Sequence, residues 1–233
     1  MDLEICIDSV EGAKIASKYN VKRVELCAAL SEGGLTPSAG LIKAVVENST
    51  ADVYVMIRPS AGGFSYTDDE IFIMRNDIKI AKEMGAQGVV FGVLNEANKI
   101  DIKKNLFLIE EALNIGLGTT FHRAIDLCEA PIQAMEDIIN LGFNRILSSG
   151  REKTAMEGID LLRTMKIASK NRIEIMAGSG INAKNCLKFK ESELHALHFT
   201  AKKNVNELFD LDMGPKYSVN EEKIKSIHDQ ISK

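Results

Sequence analysis

Short runs of β-branched and other apolar residues alternate along the whole chain with longer runs in which apolar residues recur every three or four positions. That alternation predicts repeated strand and helix units built on a parallel sheet. Strands are predicted at Leu3–Ile7, Arg23–Ala28, Val53–Arg58, Gly88–Leu94, Gly118–Ala124, Arg145–Gly150, Arg172–Ala177 and His195–Ala201. Between them, Ile71, Met74, Ile78 and Ala81 form one helical stripe, and Gly158, Leu161, Leu162, Met165 and Ala168 a second. Ile224, Ile227 and Ile231 form a third near the C-terminus. Gly85, Gly116 and Gly142 stand where helices should end, and Pro131 where one should begin. Eight strands and about eight helices in 233 residues predict an α/β protein of one domain, a single (β/α)8 TIM barrel. The alternative, a doubly wound open sheet, more often carries a GxGxxG turn or a long insertion, and this chain has neither. Residues 202–219 are predicted to be an irregular loop, followed by a C-terminal helix at about 220–232.

Side chains alternate across a strand, so parity separates residues facing the barrel interior from those lying under the helices. In the second strand Val24 and Leu26 share one face, and Glu25 and Cys27 the other. In the first, Leu3, Ile5 and Ile7 oppose Glu4, Cys6 and Asp8. Arg58 has the parity opposite to Val53, Val55 and Ile57, Thr120 aligns with His122, and His198 aligns with Thr200. The aliphatic faces belong against the helices, which sends the polar set inward and toward the strand C-terminal ends, where barrel enzymes keep their active sites. Polar groups buried without partners cost several kcal/mol each, so these side chains either satisfy one another or meet a ligand.

Composition narrows the partners. With 45% hydrophobic and 27% charged residues the chain can bury one sizeable core. A formal net charge of -4 gives no field to attract nucleic acid or an anionic membrane, so neither is expected as a partner. The N-terminus MDLEICIDSV lacks a basic region and a long apolar segment, and no window approaches a membrane span, which predicts a cytoplasmic protein. Cys6, Cys27, Cys128 and Cys186 are far apart and without CxxC spacing, which argues against a disulfide framework or a structural zinc site.

Several residues carry candidate chemistry. His122, Arg123 and Asp126 suit a general base, a cation and an orienting acid at the mouth of the fifth strand, and suit equally a salt-bridged loop that seats the next helix. His198 is either a satisfied core histidine or, beside Thr200, part of the same site. Arg58 is an anion anchor for carboxylate or phosphate, or it closes an ion network with Glu4 or Glu25. In MAGSGI, the turn at Gly178, Ser179 and Gly180 offers backbone N–H groups that can cradle phosphate, and LSSG places Ser149 and Gly150 similarly. Glycine-containing turns of this kind also occur whatever the function. Cys6 and Cys27 lie on neighbouring strands, about 4.8 Å apart, within reach of one shared soft ion such as Cu(I), or are two small buried hydrophobes. Cys128 and Cys186, near helices, read as structural.

The motifs LEICIDSVEGA, RVELCAALSEGGLTPS, MIRPSAGGFSYTDDE, GVVFGVL, TTFHRAID and IMAGSGI, in that order over about residues 1–201, resemble the CutC copper-homeostasis family. The resemblance implies a cytoplasmic TIM barrel that forms homodimers or higher homo-oligomers, with copper held by the cysteines that stand here as Cys6 and Cys27. The tail after HFTAKK is shorter than the family pattern. Two functions follow as expectations. One is Cu(I) handling through the thiolate pair, in a compartment that keeps metal and thiols reduced. The other is a barrel enzyme for a small anionic or phosphorylated metabolite. There Arg58 and the Gly178–Gly180 turn hold the anion, Glu25 and His122 exchange protons, Asp126 orients the histidine or its neighbour, and His198 lines the pocket. No HxH or HExxH spacing points to a divalent-metal enzyme.

Overall fold

Eight strands, each paired in parallel with the next and the last with the first, close a barrel in chain order. They are β1 (Asp2–Ile7), β2 (Arg23–Leu26), β3 (Asp52–Met56), β4 (Gly88–Phe91), β5 (Gly118–Phe121), β6 (Arg145–Ser148), β7 (Glu174–Gly178) and β8 (Ala196–Thr200). The helices between and after them are α1 (Val10–Lys18), α2 (Ala39–Glu47), α3 (Asp68–Glu83), α4 (Ile102–Asn114), α5 (Pro131–Leu141), α6 (Ile159–Ser169), α7 (Cys186–Glu191) and α8 (Glu221–Ile231). The computed structural model describes residues 1–205 and 216–232. The predicted TIM barrel is the observed fold, and each predicted strand overlaps an observed one. β1 ends where predicted and β7 one residue later, but β2, β3, β5 and β6 stop earlier than predicted, so Cys27, Arg58, His122 and Ser149 stand just past the strand ends, on the rim. No helix among the described residues is long and apolar enough to cross a membrane.

Helix starts are set by short polar side chains. Ser9, Ser38, Asp101 and Asn220 each accept a backbone N–H from the first turn of the helix that follows, and Thr67 and Glu70 form a reciprocal capping box at α3. Gly142 ends α5 at φ +94°, a left-handed conformation that costs a side-chain-bearing residue free energy. The stripe predicted on α6 is displaced: Ile159, Leu162, Met165 and Ser169 are the buried positions, because the helix begins after Gly158. Gly158 itself lies flat against the backbone of Ser149 and Gly150, where a Cβ would overlap the chain. Where an irregular loop was expected, β9 (Lys202–Val205) and β10 (Lys216–Val219) pair as an antiparallel ribbon, and the intervening part of that loop lies outside the described residues. Beyond the ribbon, Ile224, Ile227 and Ile231 seat α8 in the core, as their spacing predicts.

Val24, Leu26, Val53, Val55 and Ile57 pack outward under the helices in the main core. The interior floor is polar instead. Glu4 is fully enclosed and accepts from Arg23 Nε at 3.1 Å. Arg145 donates to Glu174 at 2.7 Å and to Thr120 at 3.1 Å, and its guanidinium lies 5.2 Å from the centre of the Tyr54 ring. That ring crosses the barrel over Gly88 and Gly118, and a Cβ at either position would overlap it. Gly88→Ala is therefore expected to destabilise the protein by about 1–3 kcal/mol in urea denaturation. In a Tyr54→Ala background most of that effect should disappear, and an equal effect in both backgrounds would mean that the ring does not set the constraint.

Candidate functional site

A cavity of about 350 Å³ opens at the C-terminal end of the barrel. Cys6, Glu25 and His198 line its β8–β1–β2 side, Arg58 and His122 another wall, and Ser179, Gly180 and Lys223 stand by the ends of β7 and β8. The parallel register makes the first group: Cys6 is level with Glu25 on one side and Thr200 on the other, and Glu4 with His198. Inward-pointing side chains of three consecutive strands are thereby stacked within contact of one another, as the parity reading required.

Electrostatics order this group. The His198 ring reaches Glu4 through Nδ1 at 2.9 Å and Glu25 through Nε2 at 3.6 Å. Burial disfavours a charged imidazole, but the adjoining Glu25, Cys6 and Glu4 outweigh it and hold His198 protonated well above the ordinary histidine range. Burial likewise opposes ionisation of Glu4, and the bond from His198 with the charges of His198, Arg145 and Arg23 brings its carboxyl below the usual range. Glu25 goes the other way: desolvation, reinforced by repulsion from Cys6 and Glu4, pushes it well above the carboxylate range despite His198. Cys6 and Cys27 place their sulfurs 3.8 Å apart, and the Cys27 thiol also reaches Glu25 Oε2 at 3.5 Å. The hydrogen bond with Cys27 leads in pulling Cys6 down to about 5, overcoming burial with the help of His198. Cys27 is raised by the same bond, by burial and by the charge on Cys6. The two thiols are thus driven in opposite directions, Cys6 toward the thiolate and Cys27 toward the thiol.

The rim departs from several expectations. Arg58 pairs with neither Glu4 nor Glu25, because its terminal nitrogens are held by the carbonyls of Glu32, Gly34 and Gly62 at 2.8, 3.0 and 2.8 Å, which leaves only Nε without an acceptor. Asp126 does not orient His122. It binds the neighbouring Arg123 at 2.9 Å and gathers the Ser149 and Arg151 amides and the Ser149 hydroxyl, which ties the β5 and β6 loops together. The Ser149 and Gly150 amides are consequently spent, the second on Ser148 Oγ at 2.9 Å, and the LSSG turn has no N–H to offer an anion. Gly178, Ser179 and Gly180 differ, since the Ser179 and Gly180 amides have no acceptor among the described residues. Gly178 packs between Leu147 and His198 and gives the turn its close approach.

His122 is positioned by its own backbone turn and by Phe64, whose ring centre is 4.6 Å away. Its Nδ1 accepts the Ala124 N–H at 3.3 Å, which puts the proton on Nε2, and Nε2 has no partner. Burial, then the nearby Arg58 charge, lowers its pKa to about 3. Lys223, on α8, also lines the cavity and donates to the Thr200 carbonyl at 2.6 Å. Sequence reasoning passed over it, because a lysine in a first helical turn is ordinary and only closure of the barrel brings α8 over β8. An unfolded chain protonates His122 as the pH falls through 6.5 while the folded protein keeps it neutral to about 3, so its stabilising contribution is full above 6.5 and declines below. Denaturant titrations of wild type and His122→Gln should show a stability difference that shifts against the wild type as the pH falls from neutrality toward that lower value. A difference independent of pH would show that the histidine titrates normally.

The sequence pattern of the CutC family matches residues 1–203. A CutC family protein from Histophilus somni is 47% identical over 203 residues, which is 87% of this chain and 83% of that protein. Among solved structures, the CutC protein of Streptococcus agalactiae aligns with a TM-score of 0.80 at 33% identity, covering 85% of this chain and 98% of that one. A thiamine phosphate pyrophosphorylase from Pyrococcus furiosus, at 12% identity and a TM-score of 0.64 over 99% of this chain and 95% of its own, shares the barrel alone. By extent of sequence match and by structure, this chain belongs to the CutC family.

Proposed function

We propose that this protein binds Cu(I) as cargo in the reducing cytoplasm, through Cys6 and Cys27. The observation that carries this is the pair of inward-facing sulfurs 3.8 Å apart, one of them drawn toward the thiolate by its partner and by His198. Thiolates are the donors a soft monovalent ion prefers. Sulfurs at this spacing are closer than two metal–thiolate bonds of about 2.3 Å laid end to end, so the ion would sit in a bent arrangement with room for a third donor. Glu25 is placed for that role, grouped with both thiols and with Oε1 unpartnered. Cys27 must give up its proton to the solvent on binding, and Glu25 must do the same to serve as third donor, which makes affinity rise with pH. The copper-homeostasis name of the Streptococcus agalactiae protein is provisional and agrees with this reading.

Anaerobic titration with Cu(I) against a calibrated chelator tests it. Wild type should take one ion per chain in competition, with Cys6→Ser and Cys27→Ser each weaker by at least about tenfold, the loss that even indirect support of a ligand causes. Affinity at the chelator background, or unchanged in both variants, would overturn the proposal.

We also infer that copies of the chain associate, as homodimers or higher homo-oligomers. Exposed Phe72 on α3 and Phe107 on α4 flank the seam where Arg75 meets Glu111 at 2.6 Å and stacks 4.7 Å over Phe107. Large apolar groups left at a helix seam support an interface. Light scattering should find wild type above monomer mass and the Phe72→Ser/Phe107→Ser protein at monomer mass, whereas a monomeric wild type would refute the inference.

A further inference from the structure

The side where Cys6, Glu25 and His198 stand is only one wall of the cavity. Elsewhere its lining includes His122, 4% exposed, and Arg58, 5% exposed, and each carries one buried N–H, Nε2 and Nε, without a hydrogen-bond partner among the described residues. Buried donors without acceptors are costly and rare, and two of them on residues of one cavity wall are what a ligand bringing acceptors would satisfy. Both are fixed in direction. His122 is anchored through Nδ1 on the Ala124 amide, and Arg58 through three backbone carbonyls.

At the ends of β7 and β8 the lining becomes cationic. Ser179 and Gly180 both adopt left-handed conformations, at φ +85° and +75°, and the amides of Ser179, Gly180 and Ile181 have no acceptor among the described residues. Such consecutive free N–H groups form an anion-binding concavity. Lys223 is half-buried beside them, and no carboxylate among the described residues pairs with it. The carboxyl that does line the cavity, Glu25, stands on β2 with the thiols.

We propose that this cavity binds a small phosphate monoester, its phosphoryl group on the Ser179, Gly180 and Ile181 amides and the Lys223 ammonium, and its polar body on Nε2 of His122 and Nε of Arg58. Phosphoryl fits better than carboxylate because the only buried guanidinium on this wall has its fork occupied, which removes the bidentate grip a carboxylate favours. Single, separately directed donors suit three tetrahedrally disposed oxygens. The volume of about 350 Å³ exceeds what a free phosphate fills and falls within the range of small-molecule sites, about 300–1,000 Å³. This ligand is independent of copper and makes its own contacts.

The test uses the full, metal-free chain and isothermal calorimetry with glycerol 3-phosphate and ribose 5-phosphate, set beside glycerol, ribose, malate and inorganic phosphate. At least one ester should bind at millimolar concentration or below, more tightly than its parent alcohol, malate or inorganic phosphate. Lys223→Met should weaken it at least about tenfold, the worth of one charge-assisted hydrogen bond. His122→Phe should weaken it as well and His122→Gln, which keeps an N–H, less so, while thermal melts of the unliganded variants confirm folding. Binding of the ester should survive Cys27→Ser, which separates this outcome from the fate of the copper proposal. No ester binding at millimolar concentration, malate or inorganic phosphate binding as tightly as the esters, or indifference to Lys223→Met would overturn it.

Discussion

An ionised carboxylate sealed inside the barrel is the constraint on which the site depends. Glu4 has no contact with solvent, and a buried charge is tolerable only with near-complete compensation. Arg23 supplies it from β2 and His198 from β8, on the two strands that flank β1. Because His198 is held there as a cation, its other face acts on Cys6 and Glu25. The neutralised floor is thereby linked to Cys6, two residues further along the same strand, where His198 adds to the larger pull of Cys27 on that thiol.

The same arithmetic explains why Glu25 and Glu4 behave oppositely despite similar burial. One imidazolium cannot stabilise two carboxylates and a thiolate equally in a medium that resists charge. Glu4 has Arg23 and Arg145 nearby in addition, whereas Glu25 faces Cys6 and Glu4 as like charges. Height in the barrel does not set this, since Cys6 is level with Glu25 yet drawn toward its charged form while Glu25 is pushed toward its neutral one.

Legibility in the sequence followed the range of the forces involved. Period-two alternation fixes which way Glu4, Cys6, Glu25, Arg58, His122 and His198 point, and a parallel barrel leaves their strands no other neighbours, so the inward set was readable from the chain. The rim was not. Arg58 is turned aside by carbonyls from two loops, and Asp126 by amides from a loop more than twenty residues away, and those bonds exist only once the barrel has closed. LSSG and GSG look alike as text, yet the first has a carboxylate lying over it and the second does not. Lys223 illustrates the same limit, since helical phase shows which residues of α8 are buried but not which strand end its first turn covers.

The Tyr54 ring and the arginines around it close the barrel from below, while Gly34 crosses so near Cys27 that a Cβ there would stand 3.0 Å from the sulfur. Cys27 is therefore walled in by Gly34 although it stands on the rim, and Cys6 is the cysteine that lines the cavity. Cys6, His122 and Lys223 line the same cavity, so under the two proposals an anion held by the last two and an ion held at Cys6 would be close neighbours, and the presence of either would change how freely the other comes and goes.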